Sequence, residues 1–246
     1  MSESKSTHIV TSYSQELAAL TDHIVQMGGM VEAQVAAAAV AVVDQNPEAA
    51  AHVIEQDPAV DALERDVEAQ VIRMLALRQP MAQDLRTIVS SLKMTAALER
   101  IGDYATNVAK RSIVLSQHTL PFSLTGIAHM ARLVQENLKS VVDAVGDRDA
   151  DKAMQVWHSD QAVDDIYNAI FRELVTYMME DPRNITPCTH LLFIAKNLER
   201  IGDHATNIAE MVHYMVTGDA LTESRPKGAT SAYAVVRPRT EGAADA

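Results

Sequence analysis

The stretch LERIGDYATNVA at Leu98–Ala109 returns as LERIGDHATNIA at Leu198–Ala209. Ten of the twelve positions are identical, and the two that differ are Tyr104/His204 and Val108/Ile208. Helix formation by itself tolerates wide substitution, so identity at this level points to a further constraint on the segment. On a helical wheel of 100° per residue, Leu98, Ile101, Ala105 and Val108 share one face. Glu99, Asp103 and Asn107 fall at i, i+4 and i+8 on the opposite face, as do Glu199, Asp203 and Asn207.

Working outward, the duplication extends through both halves of the chain. The breaks fall at Asn46-Pro47, Gln79-Pro80, His118 to Pro121, Gly146-Asp147, Asp181-Pro182 and Gly218-Asp219. These are turn-forming residues, and a proline prevents a preceding helix from continuing. Six helical segments are predicted between them, over 14–45, 57–79, 81–117, 122–146, 159–181 and 184–217. Short extra turns are expected at 48–56 and 149–158. In the first segment Leu17, Leu20, Ile24, Met27, Val31, Val35, Ala38 and Val42 recur at spacings of three and four, the mark of a buried helical stripe. Ile127, Ala131, Val134, Leu138, Val142 and Val145 do the same in the fourth. The first and fourth segments align at an offset of 107, the second and fifth at 103, the third and sixth at 100. The offset changes only across the breaks, where loop length varies cheaply.

The predicted fold is therefore all-α, with two tandem three-helix bundles related by internal duplication over 13–118 and 122–218. Three long amphipathic helices with short connections bury their stripes as an up-down-up bundle. Residues 1–12 are polar and expected to be a flexible N-terminus. Residues 219–246 mix Pro, Gly, Ser and charge without period and are expected to be disordered.

Composition narrows the function. The chain has 246 residues, 48% of them hydrophobic but only 4% aromatic, which suits thin Ala/Leu/Met packing between helices. Its net charge of −12 argues against nucleic acid as a partner, because phosphate backbones demand Lys and Arg. Cys188 is the only cysteine, leaving neither a disulfide nor a zinc thiolate set. No signal-peptide layout opens the sequence. The longest uncharged, largely apolar run is Ala33–Val43, well short of the roughly 20 residues that span a bilayer. A cytoplasmic location is expected, with membrane contact only through partners.

The repeated segment carries locally unfavourable choices. Carboxylates at i and i+4 repel by roughly 0.2–0.5 kcal/mol, and an interior glycine (Gly102, Gly202) costs about 1 kcal/mol relative to alanine. A bound cation would turn the carboxylate pair into a ligand set. Asp57/Asp61 and Asp160/Asp164 form matching i, i+4 pairs on the preceding helices. An antiparallel arrangement would bring Asp61 near Glu99 and Asp103, and Asp164 near Glu199 and Asp203. Oxygen-only ligands select hard cations such as Mn, Mg or Fe. Two plainer roles compete: acidic outer faces are commonly just solvated, and Asp57 before Pro58 reads as an N-cap with proline at N1. His204 has no ligating counterpart, since Tyr104 stands in its place. Glu210-Met-Val-His213 matches the ExxH of di-iron bundles, but the first half lacks a second copy. No P-loop, nucleophile elbow or HExxH motif occurs.

The sequence resembles the PhoU family. The resemblance rests on LALRQPMAQDLRTIVSSLKMTAALERIGDYATNVAKR at residues 75–111 and HLLFIAKNLERIGDHATNIAE at residues 190–210. It covers about 12–218. It implies a cytoplasmic, often dimeric protein with no catalytic residues. Such a protein acts with a high-affinity phosphate ABC transporter and a phosphate-sensing histidine kinase, restraining uptake and keeping the starvation response off when phosphate is plentiful. Some members hold metal clusters through E(D)xxxD motifs, which here are Glu99 with Asp103 and Glu199 with Asp203. A metal-dependent phosphohydrolase or an iron-binding carboxylate bundle is the alternative.

Overall fold

A computed structural model describes residues 2–120 and 123–222, with side chains from Tyr13 onward. The described residues form six long α-helices and one 3-10 turn, without strands: α1 (Ser2–Val43), α2 (Pro47–Arg78), α3 (Gln83–Leu115), α4 (Thr125–Asp147), α5 (Ala150–Glu180), the turn Pro182–Asn184, and α6 (Ile185–Thr217). Helix number, order and class match the expectation.

The boundaries differ at three places. α1 reaches back to Ser2, through the stretch expected to be a flexible N-terminus, which has no Gly or Pro to stop it. The two short extra turns merge into the helices that follow them. α2 therefore begins at Pro47, with Asn46 as its N-cap: the Asn46 side chain accepts from the backbone N–H of Glu48 and Ala49 at 3.0 and 3.1 Å. Asp149 caps α5 in the same way, accepting from Lys152 N–H at 2.9 Å. The N-cap expectation for Asp57 is corrected by this result. Pro58 lies inside α2, where it removes one intrahelical bond without ending the helix, and Asp57 is free for other contacts. Residues 223–246, most of the expected disordered tail, lie outside the described residues.

Each half is a three-helix bundle, α1–α3 and α4–α6, in which every helix packs on the other two. The halves meet through α3 against α6 and α1 against α4. The stripes predicted from spacing are the core: Leu20, Ile24, Met27, Val31 and Val35 on α1, and Ile127, Val134, Leu138 and Val142 on α4, are all buried. One apolar core runs through both bundles. A smaller cluster of Leu20, Val67, Val71, Met74 and Ile88 closes one end of the first.

Close approach of α1 to α4 depends on Gly28, where a Cβ would stand 2.6 Å from Val142. Over Tyr13–Val43, α1 is long and apolar enough to cross a membrane, and it is the one described helix that is. Here its apolar stripe is committed to the protein core.

The repeated segments lie against one another in the α3–α6 interface. Tyr104 and His204, one of the two pairs that distinguish the copies, stack with ring centroids 5.6 Å apart. A residue facing its own equivalent across a pseudo-twofold must either tolerate self-contact or differ. These two differ.

Candidate functional site: paired acidic faces

Each repeated segment buries the predicted apolar face. Leu98, Ile101, Ala105 and Val108 are at most 1% exposed, and their equivalents Leu198, Ile201, Ala205 and Ile208 at most 2%. Glu99 and Asp103, and likewise Glu199 and Asp203, sit at the half-buried margin, while Asn107 and Asn207 are exposed on the same stripe.

In the first half the acids converge as the antiparallel arrangement requires. Burial pushes the Glu99 carboxyl up to about 7, helped by the negative charges of Asp103, Glu64 and Asp61 and opposed by Arg100. Asp61 on α2 is thus near Glu99 on α3. Asp57 is also raised, by burial first and then by Asp61 and Asp103. Thr106, which faces Asp57 without a hydrogen bond of good geometry, pulls the other way. Arg100 supplies the local counter-charge, at 3.2 Å from Asp103 and 3.5 Å from Glu99. Its own side chain is 58% exposed, so these pairs are weak.

The second half uses the same positions with different neighbours. Lys196 donates to Glu199 Oε1 at 2.6 Å. The other oxygen, Glu199 Oε2, is buried with no hydrogen-bond partner. Burial raises the Glu199 pKa, Lys196 opposes this, and Asp203 and Asp164 add to it. Asp164 is therefore near Glu199, as predicted. Asp160 is buried and accepts from Thr206 at 3.2 Å, which leaves it less open than Asp57.

The two interior glycines differ in how tightly a neighbouring helix approaches them. A Cβ at Gly202 would meet Val163 at 3.4 Å, and one at Gly102 would meet Gln34 Oε1 at 3.1 Å and Val60 at 3.6 Å. The approach is tight only at Gly102; at Gly202 an added methyl would make ordinary van der Waals contact.

Two participants escaped the sequence reading. Glu64 lies at i+3 from Asp61 on the same face of α2, but its second-half equivalent is Tyr167, so comparing the repeats hid it. Lys196 corresponds to Ala96 and was hidden likewise. The di-iron motif fails structurally too: Glu210 accepts from the Trp157 indole N–H at 3.0 Å, and His213 Nδ1 lies 3.2 Å from the Asp219 carbonyl. His204 is engaged with Tyr104.

Chemically, this is a set of oxygen donors on two helix faces. Its fit to a hard cation rests on two observations: burial and then acidic neighbours raise the Glu99 carboxyl to about 7, which an added positive charge would reverse, and Glu199 keeps a buried oxygen unused. Among the described residues no group of three or more His, Cys, Asp or Glu side chains stands in ligating geometry. The carboxylates are held as helix-surface pairs, so binding an ion requires side-chain rotation.

The PhoU domain family matches residues 24–112 and 127–212, one copy per half. The chain belongs to the PhoU family. It is 51% identical over 221 residues to the "Phosphate-specific transport system accessory protein PhoU homolog" of Caulobacter vibrioides (strain NA1000 / CB15N), covering 89% of this chain and 96% of that one. The homologue of the same name in Rhizobium meliloti (strain 1021) is 48% identical, covering 89% and 93%. The crystal structure of PhoU from Pseudomonas aeruginosa superposes with a TM-score of 0.82 at 42% identity, over 84% of this chain and all of that chain. The phosphate transport system regulatory protein PhoU from Streptococcus pneumoniae gives 0.79 at 28% identity, over 86% and 100%. These PhoU relatives are named as accessory and regulatory proteins, and this member of the family is likewise not an enzyme.

Proposed function

We propose that this PhoU-family chain restrains a high-affinity phosphate ABC transporter and helps hold the phosphate-starvation two-component response off when phosphate is plentiful. A role in regulating phosphate transport is supported by the names of its relatives and by its match to them over most of its length. The observation that carries the finer reading is the doubled acidic face on a helical scaffold, which suits binding rather than turnover. On this reading the chain acts in the cytoplasm as a homodimer and engages the ATPase side of the transporter and a phosphate-sensing histidine kinase. It reaches the membrane only through them.

Metal belongs to the same proposal. Glu99, Asp103, Asp61 and Asp57, with Glu64, would hold Mn, Mg or Fe in the first half. Glu199, Asp203, Asp164 and Asp160 would do so in the second, with Asn107 and Asn207 at the exposed end of each stripe. A bound cation would supply the positive charge these faces lack and would couple partner binding to ion availability.

The test is genetic and biochemical. A strain lacking this chain is expected to take up phosphate without restraint and to express a starvation reporter in phosphate-rich medium. Restoration by the wild-type chain but not by Glu99→Ala/Asp103→Ala/Glu199→Ala/Asp203→Ala, folded by circular dichroism, supports the acidic faces as the working surface. Unchanged uptake and reporter activity in the deletion strain would refute the regulatory role.

A further inference from the structure

A cavity of about 460 Å³ opens between α1 and α2 of the first half, lined by Met30, Ala33, Gln34, Gln56, Ala59 and Val60 among others. No Lys, Arg or His borders it. Gln34 is fully buried, and neither its Oε1 nor its Nε2 has a hydrogen-bond partner. An unpaired buried amide costs about 1–3 kcal/mol for each unsatisfied group, which a bare structural role does not offset. Its oxygen points into the notch left by the missing Gly102 side chain. Gln34 Oε1 is 3.1 Å from the place a Gly102 Cβ would occupy, and Asp57 Oδ1 is 4.0 Å from the same point. Val60, which also lines the cavity, is 3.6 Å from it. Two oxygen acceptors, one of them a carboxylate, thus flank the Gly102 notch next to an apolar cleft that Gln34 lines.

The second half shows that the fold does not need this arrangement. At the established offset Gln34 corresponds to Val141, an ordinary core residue. Met30 and Gln56 correspond to Asn137 and Ser159, which close the equivalent cleft with a 2.9 Å hydrogen bond. The Asp160 carboxylate, equivalent to Asp57, already has Thr206 as a donor.

We propose that the α1–α2 cleft of the first half binds an aliphatic primary ammonium, its hydrocarbon stem between Met30, Ala33, Ala59 and Val60 and its N–H donors on Gln34 Oε1 and Asp57. The apolar walls select the stem, the acceptors select an N–H donor, and the carboxylate excludes anions. Neighbouring charges reinforce the sign: Asp61 and Asp103 add to Asp57, and Lys110 alone opposes. The stem can belong to a free alkylamine or to a lysine side chain. The site is separate from the proposed regulatory role and shares only Asp57 with the metal reading.

Titration calorimetry of the full chain with n-butylammonium, cadaverine and Nα-acetyl-lysine amide tests this, with n-butanol and tetramethylammonium as controls. One saturable site is expected, with both controls silent. Affinity should fall at least about tenfold in Gln34→Val, which installs the residue the second half carries, and in Gly29→Leu, which plugs the mouth of the cleft while leaving Gln34 in place. Glu99→Ala/Asp103→Ala should weaken binding by less than Gln34→Val does, because Asp103 acts on the cleft only through its charge near Asp57, which separates the cleft from the acidic face. Stronger binding of acetyl-lysine amide than of cadaverine assigns the stem to a partner's lysine, and the reverse assigns it to a free amine. No saturable binding by any of the three amines, or equal affinity in Gly29→Leu, overturns the proposal. So does an affinity that disappears with Glu99 and Asp103, because the amine would then be a diffuse counter-ion of the acidic face.

Discussion

The two acidic faces rest on the same twelve-residue frame and differ in charge. In the first half Glu99 is surrounded by Asp61, Glu64 and Asp103, with an exposed arginine as counter-charge. In the second, Tyr167 replaces Glu64 and Lys196 replaces Ala96, and Lys196 holds Glu199 at 2.6 Å. One half leaves its repulsion unresolved, whereas the other carries a built-in cation. Identity at motif positions therefore does not make two sites equivalent, because charge balance is set by residues outside the motif.

The contrast is sharpest for metal. Glu99→Ala/Asp103→Ala is expected to remove most of the bound Mn, Mg or Fe measured by elemental analysis, and Glu199→Ala/Asp203→Ala a smaller share. Lys196→Ala, which gives the second half the residue the first half has, should raise its uptake. Equal losses from the two double variants would break the comparison.

Packing between the halves gives the next largest effect. Gly28→Ala drives a methyl into Val142 and should cost about 2–3 kcal/mol in urea denaturation, within the range for overpacked cores. Gly29, the adjacent residue, has open space, so Gly29→Ala should be neutral or stabilising by up to about 1 kcal/mol. Similar losses at both would mean that α1 does not rest on α4 at this depth.

Glu99 offers a pH test. Its folded pKa, about 7, lies above the ordinary 4.5, so between these values the folded chain binds more protons than the unfolded one. Its stabilising contribution is complete below about pH 4.5 and is lost as pH rises toward 7. Glu99→Gln should flatten that fall and stabilise the protein at pH 8, on the order of 1–2 kcal/mol. A saturating divalent cation should pull the wild-type transition to lower pH. A pH profile identical in wild type and variant would place Glu99 in a less acidic setting than the first-half cluster requires.

The smallest effect tests where the halves agree. Asn46 and Asp149 are equivalent N-caps, and alanine at either should cost about 1 kcal/mol. A marked inequality would mean that even local devices are not shared.

Helix count, duplication and buried faces were legible because they follow from the 3.6-residue period, which every turn of the chain repeats. The i, i+4 carboxylate pairs were legible for the same reason. The role of Asp57 was misread because Asp-Pro is a local start signal. Asn46-Pro47, one segment earlier, had already begun the helix, and a packed helix absorbs one interior proline. Glu64 and Lys196 stayed hidden because identity between the repeats marks the other acids, and these two positions are where the repeats diverge.

The sequence by itself determined six helices in two homologous sets, the face each turns inward, and the acids each turns outward. Only the tertiary structure decided that Tyr104 meets His204, that Gln34 lies against Gly102 without a partner, and that Glu99 stands among Asp61, Glu64 and Asp103. Periodicity is a property of one helix and can be read along it. Which residues of different helices touch depends on crossing angle and axial register, which close packing of the whole core settles at once.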